Sequence, residues 1–276
     1  MKTKKYIAIF GILAGITILS SSVVNASHSW GKYHWDLSTG DTTANPLKLG
    51  DNLTTAAWKD SLSIASLDWN GSVLKNQVIT GTSANCDPTL GQVEVCNDLY
   101  GENGWLGIAQ IWVYRGKAGH IAQAVVKAND TYFNTPAYNT SAWRNFVVCQ
   151  EVGHTFGLGH QDEDFNNLNL GTCMDYTNDP ARNDGNGNNL HPNQHDYGML
   201  TEIYAHLNST EDGGGPRGGN GKGNGKKPAD VGANIDLDNP SEWGQAIKQD
   251  AQGMNSLFEK DLANGNKVFT FVIWAN

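Results

Sequence analysis

Cys149-Gln-Glu-Val-Gly-His-Thr-Phe-Gly-Leu-Gly-His160 (CQEVGHTFGLGH) is the stretch on which the reading of this chain turns. On a helix Gln150 and His154 stand four apart and share a face, with Glu151 beside them. Gly157 lets the chain turn sharply, so His160, six residues beyond His154, can fold back to the same point. Two imidazoles and a third donor would then meet on one metal. A neighbouring carboxylate that does not ligate is the group to take a proton from water on that metal. Standing alone, Glu151 would read as a surface or capping carboxylate; its case rests on the residues around it.

Outward from this stretch, Met174 follows His160 by 14 residues within Gly171-Thr-Cys-Met-Asp-Tyr176, and Tyr176 lies two beyond the methionine. The whole resembles the extended HExxHxxGxxH signature of the metzincin zinc metallopeptidases, read here as QExxHxxGxxH, followed by a Met-turn of Met-x-Tyr type. That resemblance implies an α+β fold: a twisted mixed sheet, a site helix, a Met-turn and a C-terminal helix. It further implies a Zn²⁺ ion on His154 and His160, Glu151 as general base, and Tyr176 as the donor to the developing oxyanion. Met174 would lie beneath the metal without chemistry of its own. The implied substrate is an extended peptide or protein paired along an edge strand, for which His120 to Lys127 is the candidate. The resemblance is strong over residues 149–176 and holds in outline over 32–207.

Gln150 departs from the family pattern, standing where the first histidine belongs. A carboxamide oxygen is neutral, hard and a weaker donor to Zn²⁺ than imidazole. Three readings follow. Gln150 ligates through its oxygen; or Asp162, Tyr176, His191 or His195 supplies the third ligand, with Gln150 behind it; or the metal is lost and a non-catalytic secreted binding protein remains.

Elsewhere the chain reads as short strands and three helices. Trp58, Leu62, Ala65 and Trp69 recur at spacings of four, three and four, predicting a helix over 53–69 that Asn70-Gly71 stops. A second begins near Thr140 and Ser141 and breaks at Gly157. A third begins near Pro192 and carries Tyr197, Leu200, Ile203, Tyr204 and Leu207. Residues 32–37 alternate like a first strand, and runs at 78–80, 93–95, 107–114 and 120–127 suggest a small twisted sheet. Leu257 to Leu262 and Lys267 to Trp274 flank Ala263-Asn-Gly-Asn266, a hairpin signal. Residues 228–276 thus read as a small C-terminal appendage or an extra ribbon on the main domain.

Lys2, Lys4 and Lys5 precede an apolar run of 14 residues, Tyr6 to Leu19, and a small-residue site ending at Ala26. This predicts a secretory signal over 1–26 and no stable membrane anchor, since a spanning helix needs about 20 residues. The domain proper would cover 27–212, and the Gly-rich basic run 213–227 would be a linker. Cys86, Cys96, Cys149 and Cys173 then meet an oxidising compartment; three pairings are open, and short local loops favour Cys86 with Cys96 and Cys149 with Cys173. Without the leader the chain holds 16 basic against 28 acidic residues, a balance of −12 that argues against a phosphate-neutralising nucleic-acid binder. Such acidity suits a secreted protein that favours cationic peptides. Asp162-Glu-Asp164 and the Asn/Asp/Gly-rich run 178–189 carry oxygen donors that would suit Ca²⁺, but no EF-hand spacing, and a solvated acidic loop is the plainer reading. His191 and His195 straddle the start of the third helix, where packing is the plainer role. His28, His34, His120 and His206 show no partner pattern and read as structural.

Overall fold

Trp58, Leu62, Ala65 and Trp69 do form the buried stripe of one helix, α1 (Ala56–Trp69), whose N-cap Thr55 accepts from the Trp58 N–H. A computed structural model describes residues 27–37, 42–83, 85–116, 119–205, 238–262 and 265–275. The expected leader and Gly-rich linker, with His206 and Leu207, lie outside the described residues. Within them the chain runs β1 (His34–Trp35), β2 (Leu47–Asn52), α1, β3 (Asn76–Thr80), β4 (Gln92–Asp98), β5 (Trp105–Val113), β6 (His120–Asn129), α2 (Asp130–Phe133), α3 (Ser141–Thr155) and α4 (Gln194–Ile203). The last three strands are β7 (Gln245–Gln249), β8 (Asn255–Asp261) and β9 (Lys267–Trp274). The fold is α+β, with few helices on one mixed sheet.

That sheet has nine strands in the order β3-β2-β4-β6-β5-β9-β8-β7, with β1 added to the start of β6. The pairs β1 with β6, β2 with β3, β2 with β4 and β4 with β6 are parallel; β6 with β5, β5 with β9, β9 with β8 and β8 with β7 are antiparallel. One expectation is corrected here. The segment His120–Lys127 is not an edge: β6 lies between β4 and β5, and Ile121 to Asn129 are all buried. Of the two readings of the C-terminal segment, the described strands form the extra ribbon on the main sheet. Strand β9 (KVFTFVIW) is apolar on both faces, so it cannot stand against water, and it pairs with β5 from Val113 opposite Lys267 to Trp105 opposite Trp274. The hairpin of β8 and β9 forms as its flanking runs predict.

Helices α1 and α3 cover one face of the sheet; the main core cluster there includes Leu49, Trp69, Ile111, Val126, Phe156, Met174 and Phe271. On the other face Trp243 packs with Trp105, Ile108, Phe258 and Val272. Beside that cluster the Cys86–Cys96 disulfide packs with Trp112 and Val125. Helix α4 starts with a capping box between Asn193 and Asp196, two residues after the Pro192 region that announces it. The other disulfide joins Cys149 to Cys173 across a separation of 24 residues and ties α3 to the loop beneath it. Replacing both by alanine is expected to cost about 3.5 kcal/mol of unfolding free energy, the loop-closure entropy for that length. Urea denaturation of the oxidised protein checks it, and a loss under about 1 kcal/mol would mean that this loop is already constrained when unfolded.

Candidate functional site

Helix α3 is capped by Thr140, whose side chain accepts from Trp143 N, and everything from Phe146 to Thr155 is buried. Its last carbonyls lie in the interior and need donors. Indole N–H groups supply them, Trp30 to His154 O at 3.0 Å and Trp35 to Thr155 O at 2.8 Å. The helix ends where Gly157 takes φ +105°, and a Cβ there would stand 2.6 Å from Tyr33 O. The chain thus doubles back, and His160 Nε2 comes to 2.9 Å from His154 Nε2.

The tautomers follow from the partners. His154 Nδ1 faces Leu158 O at 2.8 Å, and a carbonyl only accepts, so Nδ1 carries the proton. His160 Nδ1 faces the carboxylate of Glu163. Burial tends to raise the Glu163 pKa, but His160 and Lys248 outweigh it and hold it at about 2, so this carboxylate accepts as well. For both histidines burial is the leading influence, and each imidazole is pushed toward its neutral form, His154 furthest. Two lone pairs therefore point at each other inside the protein, an arrangement that calls for a cation between them. A tetrahedral Zn²⁺ with Zn–N near 2.05 Å would set the nitrogens about 3.3 Å apart, a few tenths of an ångström from what is present.

A third candidate donor stands one helical turn before His154 on α3. Gln150 is fully buried; its amide donates to Cys173 O at 2.7 Å, which leaves the side-chain oxygen as the free end, and that oxygen has no hydrogen-bond partner. Among the described residues no group of three His, Cys, Asp or Glu is placed to hold a metal, so the pair of histidines needs a donor of another kind. The alternative third ligands have other neighbours. His191 pairs with Asp68 at 2.6 Å, His195 lies against the His28 ring with its Nδ1 unpartnered, Asp162 accepts from Asp164 N and Asn167, and the Tyr176 hydroxyl donates to Val272 O at 2.9 Å. In the run 178–189, Asp184 accepts from Asn169 N and Arg182, and Asn183 from Gly185 N and Gly187 N.

Glu151 is buried against Gly107 of β5, and neither carboxylate oxygen has a partner. Burial pushes its pKa well above the carboxylate range. Burial is the leading cause that pushes the Tyr176 phenol up, with Glu163 and Glu151 adding to it. The Tyr176 ring leans on His160 with centroids 4.4 Å apart. Met174 is buried under Gly153 of α3, where a Cβ would meet its sulfur at 2.6 Å. Two residues escaped sequence reasoning. Glu163 orients His160 from three positions along, and a carboxylate behind a histidine ligand is the signal that could have found it. Phe271 stacks on His154 with centroids 4.0 Å apart and planes 11° from parallel, a contact from the far end of the chain that local spacing cannot announce.

Asp175, between the methionine and the tyrosine, has one oxygen accepting from Leu170 N and Asn189 and the other without a partner. Burial raises its pKa from 3.8 to about 6. A raised acid stabilises the fold fully below its unfolded pKa and loses that contribution as pH rises through the folded value. Asp175→Asn is therefore expected to be more stable than wild type at pH 7.5 by about 1–2 kcal/mol, an advantage that shrinks to nothing by about pH 4. Denaturation of both proteins at those two pH values checks it; an advantage that does not change with pH would mean that Asp175 does not titrate in this window.

No protein-family model matches the chain, and no curated protein matches it. Among solved structures, two of myroilysin are similar to it at 12% identity. One has a TM-score of 0.36 and covers 64% of this chain and 97% of its own; the other has 0.33, with 66% and 96%. Likeness at that level leaves fold and site to be argued from the chain itself. Among the described residues no helix is long and apolar enough to cross a membrane.

Proposed function

We propose that this chain is a secreted zinc-dependent endopeptidase of metzincin type, with His154, His160 and Gln150 as ligands. The observation that supports it best is the pair of buried imidazoles facing each other at 2.9 Å, with an unpartnered carboxamide oxygen on Gln150 one helical turn before His154. Bound Zn²⁺ supplies a Lewis acid for a peptide carbonyl and for water. Glu151 has no hydrogen-bond partner and burial favours its protonated form; as a carboxylate, once water reaches it, it would take a proton from that water and return it to the leaving amine. Tyr176 donates from its phenol to a peptide carbonyl, as it does to Val272 O. Leu158 O, Glu163 and Cys173 O hold the three donor side chains in orientation. A peptide substrate would lie extended along β5, the strand against which Glu151 packs.

Metal analysis of the purified protein, with casein or gelatin cleavage before and after chelation, tests the reading. One zinc per chain is expected, with cleavage lost on chelation and restored by Zn²⁺. A chain that takes up no zinc and cleaves nothing would sink it. The stacking of Phe271 on His154 and the engagement of the Tyr176 hydroxyl favour a second reading, a non-catalytic secreted binding protein, and that outcome would establish it.

A further inference from the structure

The C-terminal ribbon reaches nearly every part of the site. Phe271 of β9 lies flat on His154 and 6.1 Å from the His160 ring. Val272 O takes the Tyr176 hydroxyl. From the turn between β7 and β8, Ala251 N donates to Glu163 O; Lys248 of β7 pairs with the Glu163 carboxylate at 2.8 Å and Ser256 of β8 approaches it at 3.3 Å. His154 and Tyr176 are left essentially without exposure, and His160 is 6% exposed. Clefts do exist, one of about 450 Å³ lined by Asn97, Tyr100 and Asp238, but its walls include none of the site residues.

Strand β9 also takes up the backbone of β5. An extended peptide bound there would need those same N–H and C=O groups, and a phenol donating to one of its carbonyls. Strand β9 provides both, running antiparallel with Phe271 opposite Ala109 and Val272 opposite Ile108. The new outer edge, β7, is no substitute for strand addition. It is exposed, carries Lys248 and shifts register twice within five residues.

We infer that residues 238–275 are a built-in cover: β9 holds the place of an extended peptide along β5, and the histidine pair is reached only when the ribbon moves off. The inference rests on the reading of that pair as the functional centre. It requires the ribbon to move separately from the helices that carry the site. Its outer face is held by Trp243 and Phe258, away from the histidines, so its grip can be changed without touching them.

The test is peptide-resolved labelling of His154 and His160 by diethylpyrocarbonate in the full chain, for four proteins. The pair Gln110→Cys and Thr270→Cys, directly opposed across β5 and β9 on the face away from the site, locks the ribbon once oxidised. Phe258→Ala loosens it, and Leu62→Ala weakens the α1 core by a comparable truncation elsewhere. Labelling is expected to fall about tenfold in the locked protein and to rise about tenfold or more in Phe258→Ala, with Leu62→Ala near wild type. A locked protein labelled at the wild-type rate overturns the inference, as does a Phe258→Ala protein indistinguishable from Leu62→Ala. Should Phe258→Ala fail to fold, locked against wild type decides. Zinc uptake by equilibrium dialysis on the same set separates the two readings. Histidines that open without taking zinc leave the cover standing and remove the peptidase. Zinc bound one to one in the locked protein, with labelling unchanged, does the reverse.

Discussion

Glu151→Gln is expected to lower kcat for peptide cleavage by about 10²- to 10⁴-fold while zinc content and KM stay where they are. The size follows from what the side chain does and does not touch. Both carboxylate oxygens are buried without a hydrogen-bond partner, so the group stabilises nothing in the resting fold. Glutamine has the same shape and fits the same contact with Gly107, but it cannot take up a proton. Since Glu151 is not among the donors assigned to the metal, zinc should remain. The loss then falls on the chemical step alone, which is the signature of an interaction used only there. Steady-state kinetics of zinc-loaded proteins checks it. If the cover keeps the wild type slow, the same comparison on the Phe258→Ala background raises the measured range. Retention of activity within about threefold would mean that another group or bulk water takes the proton.

Some of this architecture was legible and some was not, for physical reasons that differ by element. Helix α1 announces itself because one face must be apolar at every third or fourth residue, and Trp58, Leu62, Ala65 and Trp69 are. The doubling back at Gly157 was readable because few residues but glycine take a positive φ at such a turn. Strand β2 (LKLGDN) was missed, being six residues of broken alternation. The edge strand falls on β6, and the C-terminal segment stays open between appendage and ribbon, for one shared reason. Strand order is settled by contacts between segments far apart in the chain, such as β5 with β9, and local pattern holds no record of them. In the site, the two histidines that face each other lie within one helix and its return, His154 to His160, and their meeting is legible in the spacing. Phe271 and Val272, which close over them, come from more than a hundred residues further on and are not legible there.

Gln150→His is expected to tighten zinc binding at least about tenfold, because imidazole is the better donor and the setting already suits it. Each histidine of the pair gives one nitrogen to an acceptor, Leu158 O or Glu163, and turns the other toward its partner. Cys173 O already holds Gln150 in this manner by taking its amide N–H at 2.7 Å. An imidazole at position 150 could donate one N–H to that carbonyl and aim its second nitrogen where the carboxamide oxygen now points. The Cys149–Cys173 disulfide holds the helix and the carbonyl together in either protein. Competition against a chromophoric chelator gives the affinity, on the wild-type and the Phe258→Ala backgrounds alike, so that ribbon opening is not mistaken for ligation. A gain of the same size on both locates the change at the donor. Affinity unchanged within about twofold would exclude Gln150 from the ligand set and leave His154 and His160 to be completed by a group from elsewhere. A gain in affinity with a lower kcat would carry a further meaning: the weak donor leaves the metal more Lewis-acidic, and its retention favours turnover over tenacity.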